Sequence, residues 1–293
     1  MNADRDGMAR SIQVRLARHA KEIDSDPNLV LTRFAVERFL YRLSRSAHAD
    51  RFILKGALLI LAWLGDTLRP TRDADLLGFG DFGDDELRNI FIDVCRTPVE
   101  PDALTFLPDT VRIEPIRDED AYGGRRVTLT AIMGVARLRV QVDVGIGDAV
   151  VPSPTWLDYP GLLEDLPHPR LRAYAPETVA AEKVHATVQL GLRNSRMKDF
   201  FDLHALAKMP GLDITKLSDA LAATFERRQT ALPADVPTGL SESFAQDPTK
   251  RAQWGAFLGK NRLTAPPLEI VIAEIWKFIE EPLALARKRS KPK

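Results

Sequence analysis

Thr71-Arg72-Asp73-Ala74-Asp75-Leu76-Leu77-Gly78 alternates polar and apolar side chains, as a half-buried strand does, and carries two aspartates two residues apart. On a strand such residues project from one face, with Cα atoms about 6–7 Å apart. Two carboxylates so placed repel unless a cation neutralises them. Mg²⁺ suits the pair, because it takes one or two carboxylates, keeps some waters and fills the rest of its shell with substrate phosphate oxygens. An Asp-x-Asp pair is also common on solvated loops, so its surroundings decide its meaning.

Upstream, Phe52-Ile53-Leu54 reads as a short strand, Lys55-Gly56 as a turn, and Ala57 to Leu64 as a very apolar helix buried all round. Backbone N–H groups at such a strand-to-helix turn can receive a phosphate. Downstream, Asp84 to Arg96 is a helical pattern with Leu87, Ile90, Phe91 and Val94 inside. Three strands come next, Val111 to Ile116, Arg126 to Ile132 and Ala136 to Val144, the last two joined across Met133-Gly134-Val135 as a hairpin. In the third, Arg137, Arg139, Gln141 and Asp143 alternate with Leu138, Val140, Val142 and Val144. Asp143 thus lies on the polar face, and supplies a third carboxylate if its strand neighbours that of Asp73 and Asp75. A triad of this kind can hold two metals, one activating an attacking hydroxyl and one clamping the leaving pyrophosphate.

Ahead of this region, Met8 to Ile23 and Thr32 to Ser44 have helical spacing, separated by a break at Asp26-Pro27. Behind it, residues 149–176 hold six prolines, and no regular element is expected there. From Pro176 everything reads as helix: Pro176 to Leu192, Arg196 to Lys208, Ile214 to Arg228, Pro248 to Leu258 and Pro267 to Ile279, before a basic tail, Arg287 to Lys293, expected to fray. The expected organisation is a helical lead-in (1–50), a core (51–150) and a helical C-terminal domain (151–293). In the latter, Glu182-Lys183 sits mid-helix among Ala180, Ala181, Val184 and Ala186, so Lys183 either snorkels to solvent or faces an anion. Arg196-Met197-Lys198-Asp199-Phe200-Phe201-Asp202-Leu203 opens the next helix, with Asp199 and Asp202 on one face and the apolar residues inward.

Composition restricts the alternatives. Of 293 residues, 41 are Lys or Arg and 41 Asp or Glu, which excludes a uniformly basic nucleic-acid coat. The balance is uneven along the chain: residues 1–50 carry +2, 51–150 carry −5 and 151–293 carry +3. An acidic middle between basic flanks fits a metal centre framed by arms that hold a polyanion; ordinary scatter is the bland alternative. No apolar run approaches the roughly 18 residues of a membrane span. Asp4, Arg5, Asp6 and Arg10 occupy the place of a signal peptide's apolar stretch, and the single Cys95, a core residue on its helix, excludes an internal disulfide. A cytoplasmic protein is expected. The five histidines lack metal-ligand spacing, and no Ser/His/Asp or Cys/His arrangement is legible.

Lys55-Gly56-Ala57, Thr71-Arg72-Asp73-Ala74-Asp75, Glu182-Lys183-Val184-His185-Ala186 and Lys198-Asp199-Phe200-Phe201-Asp202-Leu203, taken in order, resemble the motifs of the AbiEii/AbiGii-type nucleotidyltransferase toxins, a branch of the DNA-polymerase-β-like nucleotidyltransferase superfamily. The likeness spans residues 51 to about 208. It departs at Ala57, where the family more often has a second glycine. The superfamily's usual Gly-Ser, whose serine touches triphosphate, is therefore absent.

The resemblance implies an α+β, bilobed protein: a polymerase-β-like core with a small mixed sheet, a helical C-terminal lobe, and an active site in the cleft between. It implies that Asp73 and Asp75 hold Mg²⁺, with Asp143 at the position of the third carboxylate. Lys183 would contact the nucleotide triphosphate and Asp202 would be a further active-site carboxylate, with Asp199 a weaker candidate. Lys55, Gly56 and Thr71 fall in the nucleotide-binding region, and Thr71 occupies a place where related toxins carry a regulatory hydroxyl. The activity implied is nucleotidyl transfer from an NTP to an RNA acceptor, the tRNA 3′ end above all, which blocks translation. The system implied is a type IV-like toxin–antitoxin or phage-defence pair with a cognate antitoxin. Arg125, Arg126, Arg137, Arg139, Arg193, Arg196 and the basic tail are the candidates to track phosphates. Two alternatives stand beside this: transfer to a small molecule or protein hydroxyl, and a catalytically inert binding module.

Overall fold

The computed structural model describes residues 2–65, 69–80, 82–116 and 124–290. Asp66, Thr67 and Leu68, after the apolar helix, and Lys291 to Lys293 of the tail lie outside the described residues. The chain divides into two compact units, residues 1–62 with 70–147 and 155–173, and residues 63–69 with 148–154 and 174–293.

The first unit is built on a seven-stranded mixed sheet. Its strands are β1 (Phe52–Lys55), β2 (Ala74–Gly78), β3 (Thr105–Pro115), β4 (Arg125–Met133), β5 (Ala136–Ile146), β6 (Thr155–Asp158) and β7 (Arg170–Ala173), in the order β3-β4-β5-β2-β1-β7-β6. Strand β2 is central, antiparallel to β1 and parallel to β5. Valines 140, 142 and 144 of β5 are fully buried, as are Ala74 and Leu76 of β2, so one face of the sheet is the core. That face meets helices α2 (Pro27–Arg45) and α4 (Asp84–Arg96), with Phe39 of α2 stacked on Phe91 of α4 at 5.3 Å between centroids, and α1 (Asn2–Glu22) packs on α2. Helix α3 (Ala57–Leu64) comes after β1, and its first five residues are buried.

Three readings of this region are corrected. The break between α1 and α2 ends at Asp26, but α2 starts at Pro27 and not at Thr32: Asp26 caps it, its carboxylate accepting the Asn28 N–H at 2.9 Å, and Pro27 takes the first helical turn, where its missing N–H costs nothing. The strand carrying the aspartates starts at Ala74, not Thr71, so Asp73 stands on the bend just before it. The proline-rich stretch 149–176 contains β6 and β7, two four-residue strands that pair with each other, and β7 also extends the sheet beside β1.

The second unit is helical: α5 (Pro176–Leu190), α6 (Met197–Ala207), α7 (Ile214–Arg227), α8 (Glu242–Gln246), α9 (Pro248–Asn261) and α10 (Leu268–Ser290). Helix α10 packs on α6 and α7 through Val271, Ile275, Ile279 and Leu283, a four-residue repeat that keeps one face buried. It runs through Pro282 to Ser290, so the expected end at Ile279 and the frayed tail are corrected as far as Ser290. Arg287 donates to the carbonyl oxygens of Pro233 and Ala234, and Arg289 pairs with Asp219, which holds the last turn down. No helix among the described residues is long and apolar enough to cross a membrane.

Candidate active site

The register of the sheet sets the charged residues in a row. Lys55 of β1 pairs with Asp75 of β2, Asp75 with Asp143 of β5, and Asp143 with Arg126 of β4. Residues in register share a face, so four neighbouring strands present Lys55, Asp75, Asp143 and Arg126 side by side on the face opposite the valines. The two carboxylates stand in the middle and a cation flanks each end. The condition set for Asp143, that its strand neighbours that of Asp75, is met.

Asp73 joins this face one step along. The Thr71 hydroxyl donates to its Oδ1 at 3.1 Å, and the Gln141 amide lies 3.5 Å from its Oδ2 and 3.4 Å from Asp143 Oδ1. These last contacts are long and orient more than they bind. Gly56 closes the arrangement at the turn before α3. Its φ is +73°, and a Cβ there would lie 2.0 Å from Asp75 Oδ2. Only glycine lets the Asp75 carboxylate come this close to the backbone.

Asp143 is held differently from what its sequence suggests. Arg126 grips it with two parallel hydrogen bonds, Nε to Oδ1 at 2.8 Å and Nη2 to Oδ2 at 2.7 Å, so both oxygens are occupied by one guanidinium. Among the described residues no three acid, imidazole or thiolate groups are gathered to hold a metal ion. Asp143, the third carboxylate of the set read from the sequence, stands in register beside Asp75 and is paired with Arg126. Asp73 and Asp75, with oxygen-only donors on one face, retain the chemistry of a two-carboxylate Mg²⁺ site completed by phosphate oxygens.

Lys183 and the two aspartates of α6 form a second cluster, in the helical unit. The Lys183 ammonium lies 2.7 Å from Asp199 Oδ1 and 2.8 Å from Asp202 Oδ2, so it does not snorkel to solvent. Arg69 binds Asp202 through two hydrogen bonds at 2.7 and 2.8 Å, and Arg196 lies 2.8 Å from Asp199. Three cations thus meet two carboxylates. Burial alone would raise the Asp199 carboxyl, but the charges of Lys183 and Arg196 outweigh it and hold the group at about 2. Burial likewise opposes the charged Lys183, yet Asp199 and Asp202 raise its pKa above the usual lysine value. Both aspartates are as buried as Phe200 and Leu203, so α6 has no solvated acidic face. Arg69 was missed by sequence reasoning, since nothing local marks a partner 133 residues away.

Of the phosphate-tracking candidates, Arg125 pairs with Asp84, Arg126 with Asp143 and Arg196 with Asp199, while Arg137, Arg139 and Arg193 are exposed. Cys95 is partly buried on α4, and burial pushes its thiol up to about 12, which leaves it unreactive.

A mixed sheet with paired aspartates, flanking cations and a glycine turn at the head of a helix has the groups that phosphate chemistry uses, and the family match makes the protein a nucleotidyltransferase. Residues 38–280 match the family described as "Nucleotidyl transferase AbiEii toxin, Type IV TA system", and the chain belongs to that family. Membership makes it the toxin of a type IV pair, with a nucleoside triphosphate as donor and an antitoxin as counterpart. An inert binding module does not fit it. Among solved structures, a proposed nucleotidyltransferase from H. pylori is 15% identical, with 87% of this chain and 95% of that one covered and a TM-score of 0.49. JHP933 from Helicobacter pylori is also 15% identical, with 86% and 91% covered and a TM-score of 0.48. No curated protein matches the chain.

Proposed function

We propose that the enzyme transfers a nucleotide from an NTP to a hydroxyl of RNA, at the 3′ end of tRNA, in a Mg²⁺-dependent reaction that blocks translation in the cytoplasm. The observation that carries this reading is the pair Asp73 and Asp75 on one sheet face, beside the phosphate-suited turn at Gly56. A bound Mg²⁺, held by these two carboxylates, supplies charge neutralisation for the triphosphate. The acceptor hydroxyl attacks the α-phosphorus, and the bond to the bridging oxygen breaks as pyrophosphate leaves. The chain contributes alignment and electrostatics, which is most of what this chemistry needs.

Each residue has a role in this reading. Thr71 holds the Asp73 carboxylate in one orientation, and modification of its hydroxyl by the antitoxin would remove that bond. Lys55 balances the charge of Asp75 when no substrate is present, and the Gly56 turn offers N–H groups to phosphate. Arg126 keeps Asp143 in reserve: a phosphate that draws the guanidinium away would release a third carboxylate. Lys183 contacts the triphosphate, with Asp202 and Asp199 fixing its position.

Total tRNA incubated with Mg²⁺ and each labelled NTP in turn, with Asp73→Ala as control, tests the proposal. Label in tRNA, lost in the variant, is expected. Label in protein or in a small molecule but not in RNA would sink the tRNA acceptor and favour the alternative acceptors.

A further inference from the structure

The edge hairpin β6–β7 carries a surface that the reaction centre does not use. Trp156 pairs in register with Arg172, and Asp158 with Arg170, so these four side chains share one face. Trp156 is 54% exposed, unusual for a residue that is normally well covered. The Arg170 guanidinium lies 5.8 Å from the centre of the Trp156 ring. Phe79, 42% exposed, has the Arg172 guanidinium 5.3 Å from its centre. The Arg172 Nε is buried, with no hydrogen-bond acceptor among the described residues. A groove of about 530 Å³ runs along Trp156 and Arg170 and is lined further by Tyr41, Ser44, Arg45, Pro167 and His168.

Arg45 and Arg170 line this groove, and Arg172 lies beside it at Phe79. Asp158 lies 3.7 Å from Arg170, and Glu100 accepts the Tyr41 hydroxyl at 2.8 Å. Open aromatic faces among guanidinium groups are what single-stranded nucleic acid requires, bases stacking on the rings and phosphates meeting the cations. A protein partner would call for a groove depleted of charge at its centre, whereas this one holds Arg45 and Arg170. Phe79 follows directly on Gly78, the last residue of β2, four residues beyond Asp75. A short single-stranded segment held here reaches the carboxylates of the same sheet.

We propose that this face docks a single-stranded segment of the RNA acceptor, with bases on Trp156 and Phe79 and phosphates against Arg45, Arg170 and Arg172. The proposal rests on the reading of RNA as acceptor and adds the surface that receives it.

Fluorescence anisotropy of the full chain with a short labelled single-stranded RNA of mixed sequence tests the docking. Trp156, Arg170 and Asp158 are exposed, so their variants should keep the fold, which circular dichroism verifies. Trp156→Ala is expected to weaken binding on the order of ten-fold. Arg170→Ala should weaken it too and lower the salt slope by about one. Asp158→Asn, which removes an acid from the patch, should tighten it. Wild-type affinity in both Trp156→Ala and Arg170→Ala overturns the proposal and leaves the face to a protein partner. A duplex bound as tightly as the single strand overturns it as well. Transfer of labelled NTP to the same RNA, measured alongside, separates the two readings. Docking without transfer by the wild type removes RNA as acceptor but keeps the surface; transfer and affinity undiminished in Trp156→Ala remove the surface alone.

Discussion

At Gly56 two constraints coincide: a left-handed φ of +73°, and the Asp75 carboxylate where a Cβ would stand. Gly56→Ala must therefore strain the backbone by about 1–2 kcal/mol and also push Asp75 aside. The expected outcome is a lowered thermal midpoint together with at least a ten-fold loss of nucleotide transfer, roughly 1.4 kcal/mol in the barrier. Full activity in a folded Gly56→Ala protein would separate Asp75 from the chemistry. Ala57, the departure from the family's second glycine, begins α3 and carries no such constraint. The aspartate pair was legible because spacing along one short segment gives it. The grip of Arg126 on Asp143 was not, although both residues were candidates for other roles. Their pairing depends on hairpin register, which sets Arg126 opposite Asp143.

Helices α5 and α6 are joined by charge as well as by apolar packing. Lys183 projects from α5 to Asp199 and Asp202 on α6, and Arg69 closes the network from a loop. Removing one member of a buried set leaves its partners uncompensated, which typically costs 3–5 kcal/mol, even where the intact set adds little net stability. Lys183→Ala is expected to lower the denaturant midpoint by a change of about that size, with the slope unchanged. Transfer assays on this variant therefore belong under conditions where it is shown to be folded. There, a raised KM for NTP marks contact with the triphosphate, and an unaltered KM assigns Lys183 to the architecture alone. Most elements could be read from periodicity, as the four-residue repeat of α10 and the alternation of β5 illustrate. Strands β6 and β7 could not. Each is four residues long among prolines, and β7 is defined by its pairing with β1, more than 100 residues earlier in the chain. The start of α2 was misplaced for a simpler reason: Asp26-Pro27 suits both a break and a capped helix start, and its own two residues do not show that the helix begins there rather than at Thr32.

For the molecule as a whole, the balance of 41 bases against 41 acids conceals where charge is buried. In the first unit Glu37, Arg38, Arg42 and Asp102 lie under the surface, with Arg42 and Arg38 bonded to Asp102. Glu37 accepts the Leu162 N–H at 2.8 Å and lies 3.6 Å from Arg38. Desolvation dominates there and raises its pKa from 4.5 to about 7, despite the lowering influence of that hydrogen bond and of Arg38. The consequence for stability has a definite sign. Between about 4.5 and 7 the folded protein keeps a proton that the unfolded chain has released, so the Glu37 contribution is complete below 4.5 and is lost as pH rises through 7. Asp199 acts at the other end: its contribution is present above the ordinary aspartate value and is lost as pH falls toward 2. Stability should therefore fall on both sides of a mildly acidic optimum, so far as these two groups govern it. Glu37→Gln isolates the upper limb, because glutamine keeps an oxygen for the Leu162 N–H and never ionises. Thermal melts should show the variant more stable than wild type at pH 8, by up to about 3 kcal/mol for a shift of this size. Near pH 4.5 the two should melt alike. Equal midpoints at pH 8 would mean that the buried carboxylate is stabilised in its charged form, and the decline through neutrality would then belong to other groups.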